Sequence, residues 1–202
     1  AEWAVANQGV SKNYALEFSG GYVTSPPWAG YQGLLASSTS IGTVSHITLS
    51  CWFNSTDLLN SWGYPFNGPR CQFYSNNIYM QTGVHSSMYR RWPAANLFDG
   101  NWHNVIIYIP NANPTWDLAD TKIYMDSIDL GAGIPISLQT ANEVTDIYGI
   151  NRNGAGGGST MDMKVSNWAY WLSDQRANIN TIFNNGIPGD LTSLSPDVWW
   201  KL

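Results

Sequence analysis

Hydrophobic and polar residues alternate along most of this chain, so the expected structure is built of strands. Ile47, Leu49, Cys51 and Phe53 fall on one side of a two-residue period, with Thr48, Ser50, Trp52 and Asn54 on the other. Tyr14, Leu16 and Phe18 alternate with Ala15 and Glu17, and a break at Gly20-Gly21 before Tyr22 and Val23 predicts a hairpin-like pair. Shorter strands are expected at 71–75 and 78–82, joined by an Asn76-Asn77 turn, and at 100–109 after a glycine turn. Residues 121–130 read as strand, Asp126-Ser127 turn and returning strand. The stretches 28–40 and 57–69 read as loop, whereas 84–92, closed by Pro93, fits no single period.

Near the C-terminus, Met161, Met163, Val165, Ala169 and Trp171 share one predicted strand face, with Asp162, Lys164, Ser166 and Tyr170 opposite. Ser173 is a good N-cap, Ile179, Ile182 and Phe183 recur at helical spacing, and Gly186 followed by Pro188 ends the pattern. Many short strands, frequent turn signals and one short helix imply an all-β antiparallel sandwich, its two sheets about 10 Å apart.

Six segments, in order, resemble the laminin G-like jelly-roll domains of the concanavalin A-like lectin/glucanase superfamily. "YALEFSGGYV" is similar to the opening strand pair of that family, without its acidic residues, and "ITLSCWFN" to its "F-T-I-S-F-W-F-K" strand. "GNWHNVIIYI" resembles "G-x-W-H-H-V-V-V-T-Y", with Trp102 and His103 in the usual places, and "TKIYMDSIDL" resembles "L-x-L-Y-V-D-G-x-x-V-G". "IYGINRNGAGGG" and "MDMKVSNWAYWLSDQRANINTIFNNG" are similar to the last strands and the following helix. The resemblance implies a jelly roll over residues 1–186, with 187–202 as a C-terminal tail packing on the domain or a partner. That tail, ending in Trp199-Trp200, resembles the endings of laminin G-like structural proteins of tailed phages.

Composition narrows the setting. Charged residues are 11% of the chain and aromatics 14%, with eleven tryptophans, against roughly 25% charged residues in ordinary soluble domains. The expected surface is neutral and polar, which suits an extracellular protein or a virion surface. A net charge of −5, with no basic cluster beyond Arg90-Arg91, excludes a nucleic-acid footprint. No run of about eighteen apolar residues marks a transmembrane helix, so no membrane insertion is expected. No signal-like apolar core follows Ala1, which leaves upstream sequence open. Cys51 and Cys71 allow either one bridge or two buried thiols.

Glycosidases of the superfamily place carboxylates on alternate residues of one strand as "E-x-D-x-x-E", and Glu2, Glu17 and Glu143 do not form that pattern, so no catalytic residues and no enzymatic activity are expected. His46, His85 and His103 lack zinc-ligand spacing, and no "G-x-S-x-G" elbow occurs. No cofactor is required, although Asp117, Asp120, Asp126 and Asp129 form a local acidic group that would suit structural calcium. What remains is recognition. Trp62, Tyr64, Arg90, Arg91 and Trp92 fall in expected loops or strand ends and combine aromatic platforms with planar donors; with Trp199 and Trp200 they are the candidate carbohydrate- or partner-binding residues. Two functions fit: a virion structural protein of the capsid-decoration or fibre kind, assembling as a homo-oligomer or with other virion proteins, or a lectin-like module that binds cell-surface glycans.

Overall fold

The structure, a computed structural model, describes residues 2–5, 14–18, 39–40, 44–57, 63–66, 70–81, 89–112, 117–136, 146–147 and 162–201. For 2–5, 14–18, 39–40, 63–64, 70, 89 and 146–147 the description is of the backbone. Two antiparallel sheets face each other across one core, as the alternation predicts. The larger contains β1 (Glu2–Val5), β2 (Tyr14–Phe18), β14 (Met163–Trp171), β4 (His46–Asn54), β9 (His103–Pro110), β10 (Lys122–Met125) and β11 (Ile128–Asp129), in that spatial order, with β15 (Val198–Trp200) also on β14. The smaller runs β12 (Ile134–Pro135), β8 (Tyr89–Pro93), β7 (Asn77–Gln81), β6 (Arg70–Tyr74), β5 (Gly63–Phe66). A short pair joins β3 (Thr39–Ser40) to β13 (Asp146–Ile147).

The core between the sheets is made by the apolar halves of the alternating strands. Ile47, Leu49, Cys51 and Phe53 of β4 and Val105, Ile107 and Ile109 of β9 meet Cys71, Phe73, Ile78, Met80 and Trp92 of the smaller sheet. Phe53 makes edge-to-face contacts with Phe73 and Phe98 at centroid distances of 4.8 and 5.6 Å, a favoured aromatic geometry. Cys51 and Cys71 are free thiols, fully buried on facing sheets, and burial raises the pKa of both. We expect a thiol reagent such as Ellman's to label neither cysteine in the native protein and both after denaturation; native labelling of either would contradict this packing.

The polar half of β4 is buried as well. Residues 178–183 and the tail cover the outward face of the large sheet: Ile106, Ala169 and Trp171 pack with Ile179, Ile182 and Leu191. Trp52, at 1% exposure, stacks on Phe183 of α1 (Ile179–Phe183), centroids 5.9 Å apart. The half-buried strand expected at 47–54 is therefore buried on both faces, and its hydroxyls bond to the covering segment: Thr48 Oγ1 donates to Ser173 O at 2.8 Å and accepts from Gln175 N at 3.1 Å.

Several local expectations are corrected. In β14 the two-residue period breaks at Asn167, whose φ of 49° and a register shift between Ser166 and Ala169 form a bulge. Trp168 and Tyr170 thus join the core with Met163 and Val165, while Ala169 and Trp171 turn to the outward cluster, the reverse of the predicted faces. Ser173 does not cap the helix. A 3-10 turn, Arg176–Asn178, precedes α1, and Asp174 Oδ1 accepts from Arg176 N at 2.9 Å. The hairpin turn between β6 and β7 is Ser75-Asn76, both with positive φ, one residue before the expected pair. Within the expected loop 57–69, residues 63–66 form an edge strand, with Pro65 inside an irregular register. β2 pairs with β1, whereas 19–23, the expected partner, lie outside the described residues. The expected tail supplies β15, in register with Trp168–Tyr170.

The glycine turn before β9 and the Asp126-Ser127 turn are found as expected. Gly100 has a φ of 85°, and a Cβ there would meet Thr56 Cγ2 at 2.9 Å. Asp126 and Ser127 have φ of 52° and 67°.

Candidate functional site

The C-terminal helix and tail lie on the large sheet, and the outward face of the small sheet carries polar and aromatic side chains instead. Its strands alternate Cys71 and Phe73 inward with Gln72 and Tyr74 outward, and Ile78 and Met80 inward with Asn77, Tyr79 and Gln81 outward. Register aligns Gln72 with Tyr79 and Tyr79 with Arg91, so three adjacent strands present one transverse row, bordered by Ile134 of β12. Gln72 and Gln81 are buried, and Gln72 Nε2 donates to Gln81 Oε1 at 3.2 Å, which fixes both amides. Tyr79, Tyr74 and Arg91 are half-buried, with the tyrosine rings 6.5 Å apart. Arg91 Nε is buried without a hydrogen-bond partner, as is Nη1 of the adjacent Arg90. The half-buried guanidinium and two aromatic rings can bond hydroxyl groups and pack against an apolar ring face, while the buried amides brace the strands beneath them.

Of the residues singled out from sequence, only Arg91 is seen in this row. Arg90 alternates to the other side and its Nε donates to Gly133 O at 2.9 Å, bracing β12 against β8. The expectation of Trp92 as a binding platform is corrected: it is 0% exposed in the core, and its Nε1 donates to Gly131 O at 3.1 Å. Gly133 fits against its ring, where a Cβ would come within 2.4 Å. Trp62 lies outside the described residues, and Tyr64 is described by its backbone in β5. Trp200 is half-buried and stacks on core Trp168 at 4.6 Å. Trp199, on the large sheet, donates from Nε1 to Asn167 Oδ1 and carries Lys201 Nζ over its ring at 3.9 Å.

Gln72, Tyr74, Tyr79 and Gln81 were missed from sequence. Their alternation with core residues is plain, but an outward position is ordinarily just solvated surface, and only the cross-strand register gathers these four into one patch.

A second cluster joins titratable groups at the other sheet. His103, buried at the start of β9, lies between Asp126 Oδ2 at 2.7 Å from Nδ1 and Asp99 Oδ1 at 3.1 Å from Nε2. Asp126 Oδ1 also accepts from Asn104 N at 2.8 Å. The bond to Asp126 is the main reason that the His103 pKa is raised, against burial. Asp99 is held below the usual carboxylate range, first by its bond from the Asn101 amide and then by His103. This clamp ties the β10–β11 turn to the loop before β9. The acidic group considered for calcium is dispersed among such local bonds: Asp117 accepts from Ala119 N, and Asp129 from Gly131 N. Among the described residues no three His, Cys, Asp or Glu are grouped to hold a metal.

No protein-family model and no curated protein matches the sequence. Solved structures do match in fold. A Trypanosoma rangeli sialidase in complex with sialic acid superposes with a TM-score of 0.55 at 15% identity, over 93% of this chain and 30% of its own. Botulinum neurotoxin type C, whose cell entry depends on interaction with two ganglioside molecules, gives 0.53 at 12% identity, over 91% of this chain and 44% of its own. A Bacteroides ovatus protein, a carbohydrate-binding candidate, gives 0.52 at 14% identity, over 90% of this chain and 50% of its own. This chain thus spans half or less of each of these structures. They give a phage or virion role no support. The exclusion of enzymatic activity is overturned by the sialidases among the matching structures, at 15% identity and 30% of that chain's length. The test that led to it, a strand-borne carboxylate pair, does not apply to sialidases, whose nucleophile is a tyrosine. At these identities the likeness establishes the architecture: the chain folds as an antiparallel jelly-roll sandwich.

Proposed function

We propose that this chain is a lectin-like module that binds glycans on the outward face of its five-stranded sheet. The observation that carries the proposal is the half-buried Tyr79–Arg91 pair, aligned on adjacent strands of the sheet's outward side. A half-buried tyrosine gives a flat apolar surface for a sugar ring, and the half-buried arginine beside it gives planar donors for hydroxyls. Glycan or ganglioside recognition among proteins of similar fold is in keeping with this reading. Such a module acts at a cell or particle surface, where many copies turn weak single-site binding into firm attachment.

A glycan array probed with the purified chain tests the proposal. Retention of a defined set of glycans is expected. Tyr79→Ala should weaken it by about tenfold, roughly 1.4 kcal/mol, while Tyr79→Phe keeps most of it by keeping the ring. An array blank for the folded wild-type chain would remove the reading.

A further inference from the structure

We infer that the glycan bound on this face is the headgroup of a glycolipid, its alkyl chain lying on the exposed isoleucines at β12 while the sugar lies on Tyr79 and Arg91. The inference rests on the glycan reading above and adds the chemical class of the ligand.

The first observation is where the exposed apolar surface lies. Among the described residues four large hydrophobic side chains are exposed, and three of them, Ile128, Ile134 and Ile136, fall within residues 128–136, at 67, 42 and 51% exposure. One exposed isoleucine needs no explanation, whereas several gathered on one short segment mark a surface for an apolar partner. This segment joins the outer edges of the two sheets, since β11 is the last strand of one and β12 the last of the other.

The second observation is register. Ile134 pairs with Arg91, and Arg91 with Tyr79, so these side chains project from the same side of three adjacent strands. Gly133 lies inward against the Trp92 ring, which sets Ile134 outward, and Ile136 follows two residues on, where an extended chain returns to that side. Polar groups for a sugar and exposed aliphatic surface are therefore neighbours on one face.

The chemistry of the edge selects the occupant. A strand from a second copy, or from another protein, would draw backbone hydrogen bonds from the outer edge of β12. Pro135, between the two isoleucines, has no N–H to give, and prolines occupy edge strands with that side outward. An alkyl chain needs no such bonds and is held by burial of aliphatic surface alone. A sugar joined at one end to an alkyl chain has its parts in the same order as Tyr79, Arg91 and Ile134.

The test is an array in which each glycan is printed twice, once on a tri(ethylene glycol) linker and once on an octyl linker, beside octyl spots without sugar. It is probed with wild type, the double variant Ile134→Thr/Ile136→Thr, and Ile187→Thr as a control for general stickiness, each checked for folding by its unfolding midpoint. Threonine keeps the β-branch and removes aliphatic surface. Wild type should retain octyl-linked members of the recognised set about tenfold over their ethylene glycol twins. The double variant should bring its octyl spots down to the level of its ethylene glycol spots, and Ile187→Thr, on the C-terminal segment, should keep the preference. Equal retention on both linkers, or a preference that survives the double variant or is lost equally in Ile187→Thr, overturns this inference while leaving glycan binding in place. Retention of no glycan on either linker, or of sugar-free octyl as strongly as of octyl-linked glycans, overturns both.

Discussion

Replacing Trp168 with alanine is expected to lower the unfolding free energy by about 3–5 kcal/mol, the usual range for truncating a buried tryptophan. Trp168 is fully buried where the two sheets and the tail meet. Its Nε1 donates to Pro65 O of the small sheet at 2.8 Å, its ring lies 5.6 Å from Phe66 and edge-on to Tyr170 at 5.9 Å, and Trp200 stacks on it at 4.6 Å. Alanine would leave a cavity, orphan a buried carbonyl and remove the surface on which β15 rests. A whole domain of this size has only about 5–15 kcal/mol of stability, so the variant should sit near the edge of folding. Denaturant unfolding of Trp168→Ala and Trp168→Phe provides the measurement. A loss under about 1 kcal/mol for alanine would show that this contact does not hold the sheets together, and phenylalanine should lose less by keeping most of the ring volume.

The second large effect is expected at Asp126, with a pH dependence whose sign follows from the clamp. Asp126→Ala removes acceptors for His103 and the Asn104 amide and places alanine at a φ of 52°. Together these should cost about 2–4 kcal/mol near pH 6. The His103 pKa is raised in the folded state, so its contribution is full below the ordinary histidine value of about 6.5 and is lost as pH rises through the folded value. Asp99 is shifted down, so its contribution is present above the ordinary carboxylate value and is lost as pH falls through the folded one. The clamp should therefore be strongest in mildly acidic solution. Asp126→Asn, which tolerates the positive φ and keeps one acceptor, isolates the charge: its deficit relative to wild type should be larger at pH 6 than at pH 9. An equal deficit at both would mean that His103 is not charged against Asp126.

This histidine clamp also shows how far a sequence can be read. The strand beginning at His103, the glycine turn before it and the Asp126-Ser127 turn are each evident from local pattern, because turn residues and alternation are local properties. That Asp126 reaches back across 23 residues to His103 is not local, and neither residue type announces it. The candidate site behaves in the same way. Arg91 stands out in the sequence because cations are few, whereas Gln72 and Tyr79 belong to a common alternating pattern and gain meaning only from standing level with Arg91.

By itself, the sequence determined that this chain is an antiparallel sandwich with one short C-terminal helix, because a two-residue apolar period can be buried only by pairing such strands face to face. Tertiary structure alone decided which faces those were at the critical points. The bulge at Asn167 exchanged the sides of Trp168 and Trp171, and the C-terminal segment buried Trp52 and Thr48 on a face that alternation marks as polar. It likewise took Trp92 into the core, sent Arg90 and Arg91 to opposite sides of one strand, and brought Arg91 level with Tyr79. Such outcomes depend on register and on what packs above each sheet, and both are set by contacts between residues far apart in the chain.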